Sequence, residues 1–139
     1  MMTQMRMPFE YARKKLIYCR LSDPMTSLAK IFEDENVGSA LVKDANGEYI
    51  GMVTDSMIFR AIGSGVNVTQ LKVSDLKLEP LVKVDKNADV GEVLEALKNT
   101  TTNRVVMVDS KGKIVGVIKK TVVDRLFRFE VGSRMTRKH

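Results

Sequence analysis

Apolar residues recur along this chain in two rhythms, and the order of the rhythms itself repeats. Short apolar runs at residues 16–19, 40–42, 49–53, 81–84, 105–108 and 114–118 have the length of buried or half-buried strands. Between the first and second run of each set the spacing becomes that of an amphipathic helix. Met25, Leu28, Ala29 and Phe32 keep an i, i+3, i+4, i+7 stripe, and Val90, Val93, Leu94 and Leu97 keep the same one. Ser22 or Asp23 is placed to cap the first of these helices, with Pro24 tolerated in its opening turn. The second and third runs of each set are joined by Asp44-Ala45-Asn46-Gly47 and Asp109-Ser110-Lys111-Gly112. An Asp that bonds its own backbone, followed by a Gly that supplies positive φ, makes each segment a β-hairpin turn. A further helix is expected after each hairpin, over 56–62 and 121–129.

A shift of 65 positions lays residues 16–60 on 81–125 without a gap. Five positions are identical, namely Leu16/Leu81, Asp44/Asp109, Gly47/Gly112, Gly51/Gly116 and Arg60/Arg125, and most others agree in apolar or polar character. The fold class is therefore α/β (α+β), with two pseudo-symmetric β-α-β-β-α repeats. Neither repeat has enough helix to cover its own sheet, so the two are expected to pack together. The chain divides into a basic N-terminal segment (1–15), repeat 1 (16–65), a linker (66–79), repeat 2 (80–130) and a basic C-terminal tail (131–139), the polar connection between the repeats opening on Gly63-Ser64-Gly65.

This element order resembles the CBS domain, named after cystathionine beta-synthase. The residues that carry the resemblance run from Val37-Gly38-Ser39-Ala40-Leu41-Val42 through Gly47 to Ile50-Gly51-Met52-Val53-Thr54. They recur from Asn103-Arg104-Val105-Val106-Met107-Val108 through Gly112 to Val115-Gly116-Val117-Ile118. The resemblance spans roughly residues 10–130 and implies a CBS domain pair, commonly dimeric, that holds AMP, ADP, ATP or S-adenosylmethionine in clefts between the repeats. In that family the base lies among apolar strand residues, and a Gly-x-x-Thr/Ser-x-x-Asp segment offers a hydroxyl to phosphate and a carboxylate to the ribose diol. Here Gly51 and Thr54 are present, but Met57 stands at the Asp position. In repeat 2 Gly116 is followed by Lys119 and Val122. Asp55 and Asp124 are nearby carboxylates, at other spacings. By this resemblance the ligand-binding candidates are Tyr18, Cys19, Arg20, Gly38, Ser39, Ala40, Thr54 and Asp55 in repeat 1. Their counterparts in repeat 2 are Val84, Asn103, Arg104, Val105, Lys119 and Lys120.

Several candidates suit a second role as well. Thr54 fits a phosphate contact or a helix cap, Lys119 and Lys120 an anion or a solvated strand end, and Arg104 a phosphate or a surface pair with Asp109 or Glu95. Cys19 is a buried filler before it is a nucleophile, because no histidine is at hand as its base. With one cysteine and one histidine, His139, a Cys/His metal site is not expected. No constellation of acid, base and nucleophile points to an enzyme.

The net charge of +6 is concentrated at the ends: residues 1–20 and 125–139 each carry +4, leaving −2 between them. Basic ends serve a nucleic acid, an acidic partner or simply solubility. The expected function is thus a regulatory, non-enzymatic module that senses an adenosine nucleotide, forms a homodimer through its apolar helices and acts on a protein partner. The alternative is an adaptor that binds a protein or nucleic acid through its basic termini. No apolar stretch approaches the roughly 20 residues of a membrane span, and no signal-peptide pattern is evident, so the expected location is cytoplasmic.

Overall fold

The computed structural model describes residues 7–136, with side chains to residue 132. Its strands are β1 (Tyr18–Arg20), β2 (Ser39–Lys43), β3 (Tyr49–Thr54), β4 (Lys83–Asp85), β5 (Arg104–Val108) and β6 (Ile114–Lys119). Its helices are α1 (Met25–Glu35), α2 (Asp55–Gly63), α3 (Val90–Leu97) and α4 (Lys120–Thr136). No helix among the described residues is long and apolar enough to cross a membrane.

The chain forms two units, each with one sheet. Residues 16–81 make the first, with strand order β1-β2-β3; residues 82–136, together with the N-terminal segment, make the second, with order β4-β5-β6. In each sheet the outer pair is parallel, which requires a crossover, and α1 or α3 supplies it; the hairpin pair is antiparallel. The 65-residue shift carries the register of one sheet onto the other residue for residue. Ser39 faces Thr54 as Arg104 faces Lys119, and the irregularity between Val42 and Lys43 returns between Met107 and Val108. The turns match as well: Asp44 Oδ1 accepts the amides of Asn46 and Glu48, and Asp109 Oδ1 those of Lys111 and Lys113, all at 2.9 Å. Gly47 and Gly112 both take φ of +79°, a backbone that other residues adopt only with strain.

Each unit has its own core. Met25, Leu28 and Phe32 of α1 pack with Cys19, Ala40, Val42 and Val53 in the first. Val90, Val93 and Leu97 of α3 pack with Val105, Met107 and Ile118 in the second. Ala29 falls outside its stripe, on the exposed side of α1. The expected cap of α1 is not formed either. Pro24 is the N-cap, and Asp23 instead accepts the Arg20 amide at 2.8 Å, closing the turn between β1 and the helix.

Segments that look like connectors are built into the units. Val73 is fully buried in the first core, and Leu71, Val73 and Ser74 bond the backbone of Met25, Asp23 and Leu21. The N-terminal segment forms a 3-10 turn at Pro8–Tyr11, and Arg13 exchanges two backbone hydrogen bonds with Val117 of β6, at 2.8 and 3.0 Å. Its described part is thus a folded edge of the second unit, while Arg6 lies outside the described residues. At the other end α4 continues past residue 130 through what the sequence suggests is a tail. The tail's Arg137, Lys138 and His139 also lie outside the described residues.

Candidate functional site

In each unit the hairpin register brings the start of the middle strand beside the start of the last helix. In the first unit Ser39 faces Thr54, and the Asp55 amide donates to the Gly38 carbonyl at 2.9 Å. This gathers Gly38, Ser39, Thr54 and Asp55 at one sheet end, under the first turn of α2. Thr54 is the N-cap residue, with extended φ and ψ, yet its side chain makes no capping bond. It is only 4% exposed and is the one buried polar residue among those described. Asp55 turns its Oδ1 back to the Ser56 amide, 2.8 Å away. The hydroxyls of Ser39 and Thr54, side by side at the first turn of a helix, suit an anionic or strongly hydrogen-bonding ligand group.

The second unit builds the same corner from other chemistry. Arg104 faces Lys119, and the Lys120 amide donates to the Asn103 carbonyl at 2.8 Å. Asn103 holds φ of +55°, which Asn tolerates better than most residues. The Lys120 ammonium is engaged with Asp124 at 2.8 Å, one helical turn on, which leaves Lys119 as the exposed cation at the corner. Arg104 donates from Nη1 to the Thr102 carbonyl at 3.0 Å. Of the two acids expected near it, Asp109 holds its own turn through Oδ1, and Glu95 pairs with Lys98 at 3.0 Å.

Other candidates lie away from these corners. Parallel pairing sets Tyr18 beside Leu41 and Arg20 beside Lys43, so Arg20 stands roughly 13 Å along the strand from Ser39. Tyr18 there stacks under Lys43, whose ammonium is 4.0 Å from the ring centroid and 5.1 Å from that of Tyr49. Val84 pairs with Met107, likewise distant from Arg104. The first-strand residues nearest the corners are Ile17, whose carbonyl accepts from Leu41 at 2.9 Å, and Val82, which accepts from Val106 at 2.9 Å. Sequence reasoning passed over both, because an apolar run shows that a strand exists without showing where it pairs.

Four further side chains serve as packing. Ala40 and Val105 belong to the two cores, Met57 at the ribose-Asp position is buried in the first, and Val122 packs against the second. Cys19 is 2% exposed, and its thiol is pushed up to about 12, first by burial and then by the carboxylate of Asp23. It stays a protonated thiol at neutral pH, unsuited to nucleophilic attack.

Comparison with known proteins agrees with this architecture. A family model described as the CBS domain matches twice, over residues 9–64 and 73–124. The Bacillus subtilis protein YlbB is 32% identical over 105 residues, covering 74% of this chain and 70% of its own. The Methanopyrus kandleri protein MK0525 is 22% identical over 110 residues, 78% of this chain, and the match spans only 56% of that relative. Among solved structures, the CBS domain protein PAE2072 from Pyrobaculum aerophilum, complexed with AMP, superposes with a TM-score of 0.70 at 16% identity. That match covers 84% of this chain and 89% of the other. The CBS domain pair of protein MJ0100, in complex with 5′-methylthioadenosine and S-adenosyl-L-methionine, gives 0.73 at 17% identity, over 91% and 99% of the two chains.

Proposed function

The chain belongs to the CBS domain family, and from that premise we propose that it is a ligand-sensing regulatory module taking an adenosine-type ligand at the Ser39–Thr54 corner of its first repeat. The observation that carries this reading is the Thr54 hydroxyl. It is almost wholly buried, stands at the first turn of a nine-residue helix and caps none of that helix's amides. The hydroxyl is thus uncommitted to its own helix and is available to a ligand oxygen or nitrogen at this corner. AMP, 5′-methylthioadenosine and S-adenosyl-L-methionine, the ligands held by the two structural neighbours, define the chemical class. The role proposed is regulation of a partner protein rather than catalysis.

The ribose is handled differently from the family pattern. With Met57 packed into the core, its position offers the diol no acceptor. A 2′-deoxy analogue is therefore expected to bind about as well as the ribonucleotide.

The test is a thermal-shift scan against AMP, ADP, ATP and S-adenosylmethionine, with Thr54→Val beside the wild type. A ligand at a hundred times its dissociation constant adds about 2.7 kcal/mol, which raises the melting temperature of a domain this size by several degrees. Thr54→Val keeps the shape and removes the hydroxyl, so it should melt at or above the wild-type temperature and lose most of the ligand-induced rise. A scan in which none of the four ligands moves the wild-type transition overturns the proposal.

A further inference from the structure

The hairpin end of the second sheet concentrates positive charge that neither ligand corner uses. Four lysines meet there. The Lys86 amide donates to the Val108 carbonyl at 2.8 Å, which brings Lys86 to the end of β5. Lys111 and Lys113 belong to the turn that follows, where the Asp109 amide donates to the Lys113 carbonyl at 2.9 Å. Lys14 arrives from the N-terminal segment. Its ammonium lies 4.8 Å from the centre of the Phe9 ring, and the Lys86 ammonium lies 6.0 Å from the same centre, so one ring gathers cations from distant parts of the chain. Lys86 is half-buried and the other three are exposed. None of the four forms an ion pair among the described residues.

The first repeat has no such end. Under the 65-residue shift Lys83, Lys86, Lys111 and Lys113 answer to Tyr18, Leu21, Asn46 and Glu48, none of them a cation. Segments 83–87 and 109–113 carry net +2, and their counterparts 18–22 and 44–48 carry net −1. The two acids inside the basic segments are turned to backbone. Asp85 Oδ1 accepts the Asn87 amide at 2.7 Å, and Asp109 Oδ1 holds the amides of Lys111 and Lys113. The wider field has the same sign: residues 1–15 and 82–139 hold seventeen cations against eight anions, whereas residues 16–81 hold six against nine.

We infer that this lysine end is a docking site for the phosphate backbone of a double-stranded nucleic acid. Unpaired lysines on flexible stems act as point charges, which suits phosphates met in series and reads no bases. A membrane surface fits less well, because none of the exposed large apolar side chains among the described residues lies in 83–87 or 109–113 to enter lipid. A single strand fits less well too, because the Phe9 ring is half-buried under its own lysines and is not open to a base. The site is separate from the ligand corner of this repeat. Ile114 and Lys119 stand at opposite ends of β6, roughly 17 Å apart along the strand.

The experiment is fluorescence anisotropy of the full chain with a labelled DNA duplex of arbitrary sequence. Wild type should bind at about 50 mM salt, and log K should fall against log salt with a slope at least as steep as about −3.6, the value for four phosphates. The triple variant Lys86→Gln, Lys111→Gln and Lys113→Gln should make that slope shallower by about 2.7 and weaken binding by about tenfold or more, with unchanged circular dichroism. Removing charge from the C-terminal tail instead, by Arg134→Gln, Arg137→Gln and Lys138→Gln, should cost less. The proposal is overturned if wild type does not bind the duplex, or if the tail variant loses more affinity than the lysine variant. Tighter binding to a single strand of the same length, or to phosphatidylserine vesicles, would overturn it as well.

Discussion

Thr54 and Lys119 occupy the same place in the two repeats, last on the third strand and first before a helix, yet one is a buried hydroxyl and the other an exposed ammonium. The scaffold places both; the first is a hydroxyl left uncommitted to its helix, the second a cation at the surface. Side-chain identity at a shared corner, rather than backbone, is what makes the repeats chemically unequal. Cys19 illustrates the reverse, a potentially reactive group silenced by position. Its thiol ionises near 9 in the unfolded chain and only near 12 in the folded one. Between those values the unfolded chain holds fewer protons, so stability falls as pH rises through that window, each unit of difference being worth about 1.4 kcal/mol. Urea midpoints measured from about pH 8 to about pH 10.5 should fall more steeply for wild type than for Cys19→Ala. An equal slope in both would mean that the thiol is not shielded.

At the scale of elements, Gly51 and Gly116 show why a repeat keeps a glycine in a strand. A Cβ on Gly51 would lie 3.0 Å from the Leu78 Cβ and 3.1 Å from the Glu79 carbonyl oxygen. On Gly116 it would lie 3.2 Å from the Phe9 ring and 3.3 Å from the Ala12 Cβ. Each glycine admits a covering segment that pairs with the adjacent strand residue, Met52 with Glu79 and Val117 with Arg13. Gly51→Ala meets backbone, which cannot give way, and should lower stability by about 1–3 kcal/mol. Gly116→Ala meets a ring that can pivot and should cost less. Denaturant midpoints of the two variants check the order. The pairing of these glycines is visible in the sequence, but their reason is not, since it depends on segments distant along the chain. The hairpins were legible because Asp44, Gly47, Asp109 and Gly112 encode them locally. The cap of α1 was not, because the Asp23 carboxylate accepts the Arg20 amide and closes the turn before the helix. The site was legible in half: Ser39 and Thr54 follow from the hairpin, whereas Tyr18, Arg20 and Val84 depended on a parallel register that no local signal sets.

For the whole molecule, the second unit is discontinuous in sequence. Pro8 is buried, Phe9 and Ala12 pack on the second core, and Arg13 extends the sheet. Deleting residues 1–15 therefore removes cover from β6 as well as charge. The loss of one half-buried aromatic and two backbone hydrogen bonds should destabilise that unit by about 3 kcal/mol. Hydrogen exchange should show Val105 and Met107 losing protection while Leu41 and Val42 keep theirs. Equal loss in both sheets would mean that the segment supports the chain generally.

That arrangement also sets an order of events during synthesis. The residues that cover β6 leave the ribosome well before it, while their docking surface is still about a hundred codons away. Residues 16–81 emerge next and need nothing made later to complete their own sheet. At ordinary translation speeds, roughly 5–20 residues per second, the covering segment waits several seconds for β6 to exist. A segment made before both sheets must thus wait for an edge that the chain supplies only near the end of its second repeat.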